Sequence, residues 1–332
     1  MTLDLPLVWA ALLAFAVFAY VTLDGFDLGV GILFAAFPDN ADRERLMNTV
    51  APVWDGNETW LVFGGGGLFA TFPLAYACLM PAVYAPLIAM LLGLAFRGVS
   101  FEFRSKAKGA RWLWDLGFML GSTVAAFSQG LILGAIVSGV KVADRAYAGG
   151  WWDWLTPFSL LTGVAVVCGY VLLGACWVVY KTEGVLSERA REIARGAGLA
   201  TVVLLAVVSI WTPFLAEAFW RRWWHWPGVL YTAPIPVASA GVAYWLWRSL
   251  ADERELQPFL ASLALFALGF AGLGVTFYPY ILPGAVTIAE AAAPPASQAF
   301  LLTGAVVLLP LILAYTAYAY WVFRGKTVGG YH

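Results

Sequence analysis

The sequence predicts an all-α integral membrane protein of nine transmembrane helices. Three observations lead there. Of 332 residues, 62% are hydrophobic and 12% charged, against roughly 25% charged in an ordinary soluble domain. Apolar runs long enough to cross ~30 Å of hydrocarbon recur along almost the whole chain, with connections too short for a separate soluble domain. Lys and Arg collect in alternate connections, as expected when basic residues stay on the cytoplasmic side. A single polytopic membrane domain over 1–332 follows.

The first span, 7–37, begins within MTLDLPLVWA, which has neither a basic stretch nor a small-residue cleavage site, so it reads as retained and not as a signal peptide. The second, 46–71, holds APVWDGNETW and the run Gly64–Gly67, which no Lys-Ser or Lys-Thr follows; close helix packing explains the glycines better than a phosphate cradle. The third, 76–100, leaves the membrane through FRGVSFEFRSKAK. The fourth, 113–139, carries the small-residue pairs Gly117/Gly121 and Gly130/Gly134, like Gly25/Gly29 in the first. The remaining spans are 155–180, 196–219, 229–249, 258–280 and 298–323.

With the N-terminus outside, the inner segments hold Arg43 and Arg45, then Arg97, Arg104, Lys106, Lys108 and Arg111. Lys181, Arg189, Arg191, Arg195, Arg248, Arg254, Arg324 and Lys326 complete 15 of the 19 basic residues. Lys141, Arg145, Arg221 and Arg222 alone fall outside. That asymmetry fixes nine helices, N-terminus out and C-terminus cytoplasmic. Tryptophans in GGWWDW and FWRRWWHW sit where spans meet water, as interfacial anchors do.

A carboxylate inside a span is costly and turns toward a partner, a cavity or an ion path. Here there are several. Asp24 and Asp27 share one face of the first helix at i and i+3, and Asp55 and Glu58 repeat the spacing on the second. Asp27 lies roughly 15 Å, and Asp55 roughly 14 Å, from the inner end of its span at ~1.5 Å per residue. A common buried acidic site open to the cytoplasm is expected. Glu102 and Lys106 stand one turn apart at the inner surface, so Glu102, Asp55 and Asp27 form a potential proton ladder. The alternative is that Asp24 hydrogen-bonds backbone or Asn57, and that Glu102 pairs on the surface with Lys106 or Arg104. Asp115 beside Arg111 reads as a structural ion pair, and Glu217 and Glu290 as solvated groups at the outer face.

Cys78, Cys168 and Cys176 lie in apolar runs without a CxxC pair and read as buried, inert thiols. The two histidines, His225 and His332, are on no span. Met1, Met47, Met80, Met90 and Met119 therefore have no His partner for haem ligation, and copper lacks a ligand cluster. If the chain serves redox chemistry, the metals belong to a partner. No nucleic-acid partner is expected.

DGFDLGVG at 24–31, NTVAPVWDGNETWL at 48–61, FRGVSFEFRSK at 96–106 and YPYILPGAVTIAEA at 278–291 together resemble subunit II of the cytochrome bd quinol oxidases. The ETW ending is similar to the cyanide-insensitive branch. The resemblance implies two four-helix bundles plus a peripheral ninth helix, in the bacterial inner membrane. It implies a haem-bearing subunit I with haems b and d, or b only, and allows a small single-span companion. Quinol and oxygen would be substrates of the complex, which reduces oxygen to water without pumping and draws its protons from the cytoplasm. Subunit II would supply part of that route, through positions matching the family at Asp24, Asp27, Asp55 and Lys106. Glu102 stands where Asp is common. Some members hold a quinone in subunit II as a structural lipid, although no motif here specifies it. Two rivals stand beside this reading: a proton-coupled transporter, which usually shows paired broken helices in two halves, and a purely structural oxidase subunit.

Overall fold

The computed structural model describes residues 4–107 and 109–327; Met1, Lys108 and His332 lie outside them. Among the described residues the regular structure is helical, apart from two small antiparallel hairpins, β1 (Val142–Ala143) with β2 (Ala146–Tyr147), and β3 (Tyr280–Leu282) with β4 (Val286–Thr287). In order the helices are α1 (Leu5–Leu33), α2 (Asn40–Val50), α3 (Trp54–Thr71), α4 (Pro73–Ala82), α5 (Tyr84–Lys106), α6 (Arg111–Ser138) and α7 (Pro157–Lys181). They continue as α8 (Val185–Trp211), α9 (Glu217–Trp224), α10 (Val229–Thr232), α11 (Pro234–Ala251), α12 (Gln257–Phe277), α13 (Ile288–Ala291) and α14 (Pro295–Val322).

Among the described residues, eight helical segments are long and apolar enough to cross a membrane. They begin at α1, α5, α6, α7, α8, α10, α12 and α14. The stretch expected as the second span behaves differently. Its chain breaks at 51–53 into the polar α2 and the 18-residue α3. α3 is about 27 Å long at 1.5 Å per residue, but Asp55, Asn57 and Glu58 in its first turns keep it out of the apolar set. The expected third span is also two helices, because α4 ends at Ala82 and α5 runs on to Lys106.

α1 is the central element. It packs along α7, α3 and α6, while α6 lies between α5 and α7. α7, α8, α11 and α12 form a second set of neighbours, and α14 touches α1 and α3. Glycine permits the closest of these contacts: a Cβ at Gly29 would lie 1.9 Å from the Tyr170 carbonyl oxygen, so α1 and α7 meet backbone to backbone. The Gly64–Gly67 run does less than expected. Only Gly67 is tightly approached, by Leu13, and nothing stands within 4 Å of a Cβ at Gly65 or Gly66.

The ends of α12 and α14 are fastened by cations. Arg222 donates to the carbonyl oxygens of Val275 (2.9 Å), Thr276 (3.1 Å) and Tyr278, covering acceptors that the helix leaves open. Buried Lys181 donates to the carbonyls of Phe323 and Gly325, tying the chain after α14 to the end of α7. Trp224 and Trp226 are 60% and 75% exposed, as anchors at a bilayer surface require.

Candidate functional site

The acidic residues of α1 and α3 converge on a residue that sequence reasoning counted only as an inner-segment cation. Arg97 of α5 is fully buried. Its Nη1 donates to Glu58 Oε1 at 2.6 Å and lies 3.0 Å from Asp24 Oδ1, and its Nη2 lies 3.8 Å from Asp27 Oδ2. The placement follows from helix periodicity: Asp24 and Asp27 at i and i+3 face one way on α1, and Glu58 meets them from α3. Trp54 and Phe101, stacked at 4.7 Å, both lie against the guanidinium, whose carbon is 5.8 Å from each ring centroid.

Asn57 closes the side nearest α14. Its Nδ2 donates to Asp27 Oδ2 at 2.7 Å and to the Leu23 carbonyl at 3.3 Å, and its Oδ1 accepts from the Tyr320 hydroxyl at 3.0 Å. The expected Asn57 contact is therefore made, but to Asp27 and not to Asp24. One guanidinium thus faces three carboxyl groups, so the cluster holds more acidic groups than cations to match them. Asp24 Oδ1 and Oδ2, Asp27 Oδ1 and Arg97 Nε and Nη2 make no hydrogen bond to another described protein group. Such groups call for hydration.

The other expected site residues are placed apart. Glu58 keeps 26% of its side chain exposed and is the cluster's opening. Asp55, one turn earlier, is exposed on the outer side of α3 and makes no ion pair with another described residue, so Asp27 is buried with Glu58 and Arg97 nearby and not with Asp55. Glu102 and Lys106 pair at 3.3 Å with side chains 68% and 71% exposed. The structure does not bring them into the cluster.

Asp115 is also corrected. Its carboxylate accepts from Arg43 Nη1 at 2.8 Å and from Arg104 Nε at 2.5 Å, not from Arg111, which is exposed. Arg43 further donates to the Phe37 and Phe34 carbonyls at 2.7 and 3.1 Å, so one buried acid joins α2, α5 and α6 to the end of α1. Glu290 is no idle surface group: with Thr287 it forms a capping box on α13.

Among the described residues the one histidine is His225, which follows α9 and stands on no membrane-spanning helix. Among the described residues no group of three or more His, Cys, Asp or Glu side chains is arranged to hold a metal ion. Cys78 and Cys176 are buried free thiols, and Cys168 is partly buried.

Comparison with known proteins completes the picture. The profile of a family described as cytochrome bd terminal oxidase subunit II matches residues 5–323. Cytochrome bd-I ubiquinol oxidase subunit 2 of Escherichia coli K12 is 30% identical, over 97% of this chain and 95% of that protein. Cytochrome bd ubiquinol oxidase subunit 2 of Bacillus subtilis is 29% identical, over 96% and 95%. A chain in the solved structure of the bd oxidase from Geobacillus thermodenitrificans shares the fold, with a TM-score of 0.81 at 20% identity over 98% of this chain and 100% of that one.

Proposed function

The chain belongs to the family of cytochrome bd terminal oxidase subunit II; it is thereby a multi-pass protein of the bacterial inner membrane and one subunit of a quinol oxidase, and from that premise we propose that its buried acidic cluster is part of a cytoplasmic proton-uptake route. The observation that carries this reading is the convergence of Asp24, Asp27 and Glu58 on the single buried Arg97, with Glu58 reaching the surface. Carboxyls that share one counter-charge take up and release protons at little electrostatic cost, because the guanidinium turns toward whichever anion is present. Asp55 lies beside the opening, and Glu102 with Lys106 forms a proton-collecting surface pair at the inner edge.

The family implies a subunit I that carries the haems. The outer side of α3 supports a seat for it: exposed Asp55 shares that side with Val62, 74% exposed, and Phe69, 62% exposed. A carboxylate cannot face lipid tails. Nine spans result when α3 is added to the eight apolar segments, which then form two four-helix bundles with α14 at the periphery. The distribution of basic residues supports an outer N-terminus and a cytoplasmic C-terminus. In this reading the complex reduces oxygen to water with protons from the cytoplasm, without pumping, and this subunit binds no haem.

A purely structural role is the second reading, favoured by the closeness of the Arg97–Glu58 pair. Asp24→Asn and Glu58→Gln in the assembled oxidase, reconstituted into vesicles, separate the two. The proton route predicts about a tenfold loss of quinol-driven oxygen uptake together with reduced charge translocation. If an assembled complex keeps both at parental level, the route is wrong.

A further inference from the structure

The cluster continues away from its Glu58 opening into a second buried polar group that the uptake route does not use. Tyr20 stands one turn before Asp24 on the same face of α1 and is 4% exposed. Its hydroxyl oxygen accepts from Gln129 Nε2 of α6 at 2.8 Å. Gln129 Oε1 in turn accepts from the Tyr170 hydroxyl of α7 at 2.5 Å, and Tyr170 is 1% exposed. The bonds run in one direction. Tyr170 donates to Gln129, Gln129 donates to Tyr20, and the only hydrogen Tyr20 has left is its own hydroxyl proton.

Neither oxygen of Asp24 accepts a hydrogen bond of proper geometry, although Arg97 lies 3.0 Å away. Tyr20 precedes that carboxylate by a single helical turn on the same face of α1. We propose that Tyr170 and Gln129 lock the Tyr20 hydroxyl as a donor to Asp24, making Tyr20 a positioning residue that sets the proton affinity of Asp24 and closes the end of the cluster away from Glu58. The inference rests on the proton-route reading of Asp24.

Closure follows from the chemistry of the middle member. A carboxamide holds its N–H hydrogens and offers no titratable site near neutral pH, so a proton reaching Tyr20 cannot pass through Gln129. A third carboxyl or a histidine there would carry it onward. The groups that act on Asp24 are Arg97 from α5, Glu58 from α3, Asp27 and Tyr20 from its own helix, Tyr170 from α7 and Tyr320 from α14. Of the three tyrosines, Tyr170 and Tyr320 spend their hydroxyl hydrogens on Gln129 and Asn57, whereas Tyr20 accepts from Gln129 and keeps its own.

The test is infrared titration of the assembled oxidase, with the Asp24 carboxyl band identified as the one lost in Asp24→Asn. A carboxylate deprived of a donor binds its proton more tightly. Tyr20→Phe is therefore expected to move the midpoint of that band toward alkaline pH by about one unit, and Tyr170→Phe to move it the same way by less. A Tyr20→Phe complex whose Asp24 band titrates where the parent's does overturns the proposal. If Tyr20→Phe does not assemble, Tyr170→Phe and Gln129→Leu decide on the same reading, and an unmoved midpoint in both overturns it. Charge translocation by Asp24→Asn is scored separately. Unchanged translocation there refutes the route, whereas an unmoved band in the tyrosine variants refutes only the positioning.

Discussion

Arg97 Nη1 and Glu58 Oε1 lie 2.6 Å apart across the α3–α5 boundary, the guanidinium fully buried and the carboxylate at the cluster's edge. Removing the cation strands Asp24, Asp27 and Glu58 with no counter-charge. Arg97→Leu is expected to destabilise the subunit by about 3–5 kcal/mol, measured as lost yield and lowered thermal midpoint of the detergent-solubilised complex. Adding Asp24→Asn recovers part of that loss. A double variant no better than Arg97→Leu alone contradicts the shared-charge description.

Asp115 carries a sharper contrast, since sequence neighbours and spatial neighbours disagree. Asp115→Ala leaves Arg43 and Arg104 without their common acceptor and is expected to cost about 3 kcal/mol. Arg111→Ala, at an exposed position, is expected to change stability by less than ~0.5 kcal/mol. Equal effects on the thermal midpoint reject the assignment.

Gly29→Ala tests the contact between α1 and α7. The new methyl carbon would stand 1.9 Å from the Tyr170 carbonyl oxygen, a backbone atom that no rotamer change can move. We expect a cost of about 3 kcal/mol or more, seen as failure of the subunit to accumulate. Normal accumulation of Gly29→Ala rules out the close approach.

Within the proton reading, position along the route sets the size of the effect. Glu58→Gln blocks the opening of the cluster and is expected to lower oxygen uptake about tenfold. Glu102→Gln removes one of many proton collectors at an exposed surface and is expected to lower it less than about threefold. The reverse order in purified complexes would shift the entry point to Glu102.

Outside the membrane, the Thr287 backbone N–H (2.9 Å) and hydroxyl (2.8 Å) hold the Glu290 carboxylate below the usual range. The bound state is the anion, so the sign is that of a depressed acid. The cap on α13 is complete above the ordinary Glu pKa of about 4.3 and is lost as pH falls through the lower folded value. Hydrogen exchange at residues 288–291, corrected for intrinsic rate, is expected to quicken only below that range, and Glu290→Gln to remove the pH dependence.

Much of the fold was legible because hydrocarbon imposes a simple rule on composition. Spans at 113–139, 155–180 and 298–323 agree with α6, α7 and α14 to within a few residues. The rule failed where backbone chemistry intervened. α3 is polar in its first turns, so its break from α2 near Pro52 left no hydropathy signal. The site was half legible. Asp24, Asp27 and Glu58 announced themselves as carboxyls in spans, but Arg97 looked like one more basic residue at a cytoplasmic edge, and Tyr20, Gln129 and Tyr170 resembled ordinary polar residues in apolar company.

Composition and order along the chain are enough for what must be hidden from lipid: the membrane location, the approximate extents of several long helices, the presence of acids in apolar runs, and the family motifs. Only the tertiary structure decided which groups meet. Charge and helical face are properties of one segment, readable along it, whereas the pairing of Arg97 with Asp24 and Glu58, of Asp115 with Arg43 and Arg104, and of Tyr20 with Gln129 depends on how helices far apart in the chain rotate and approach. Those rotations are set by close packing at contacts such as Gly29 against Tyr170, where the absence of a side chain leaves no mark in hydropathy.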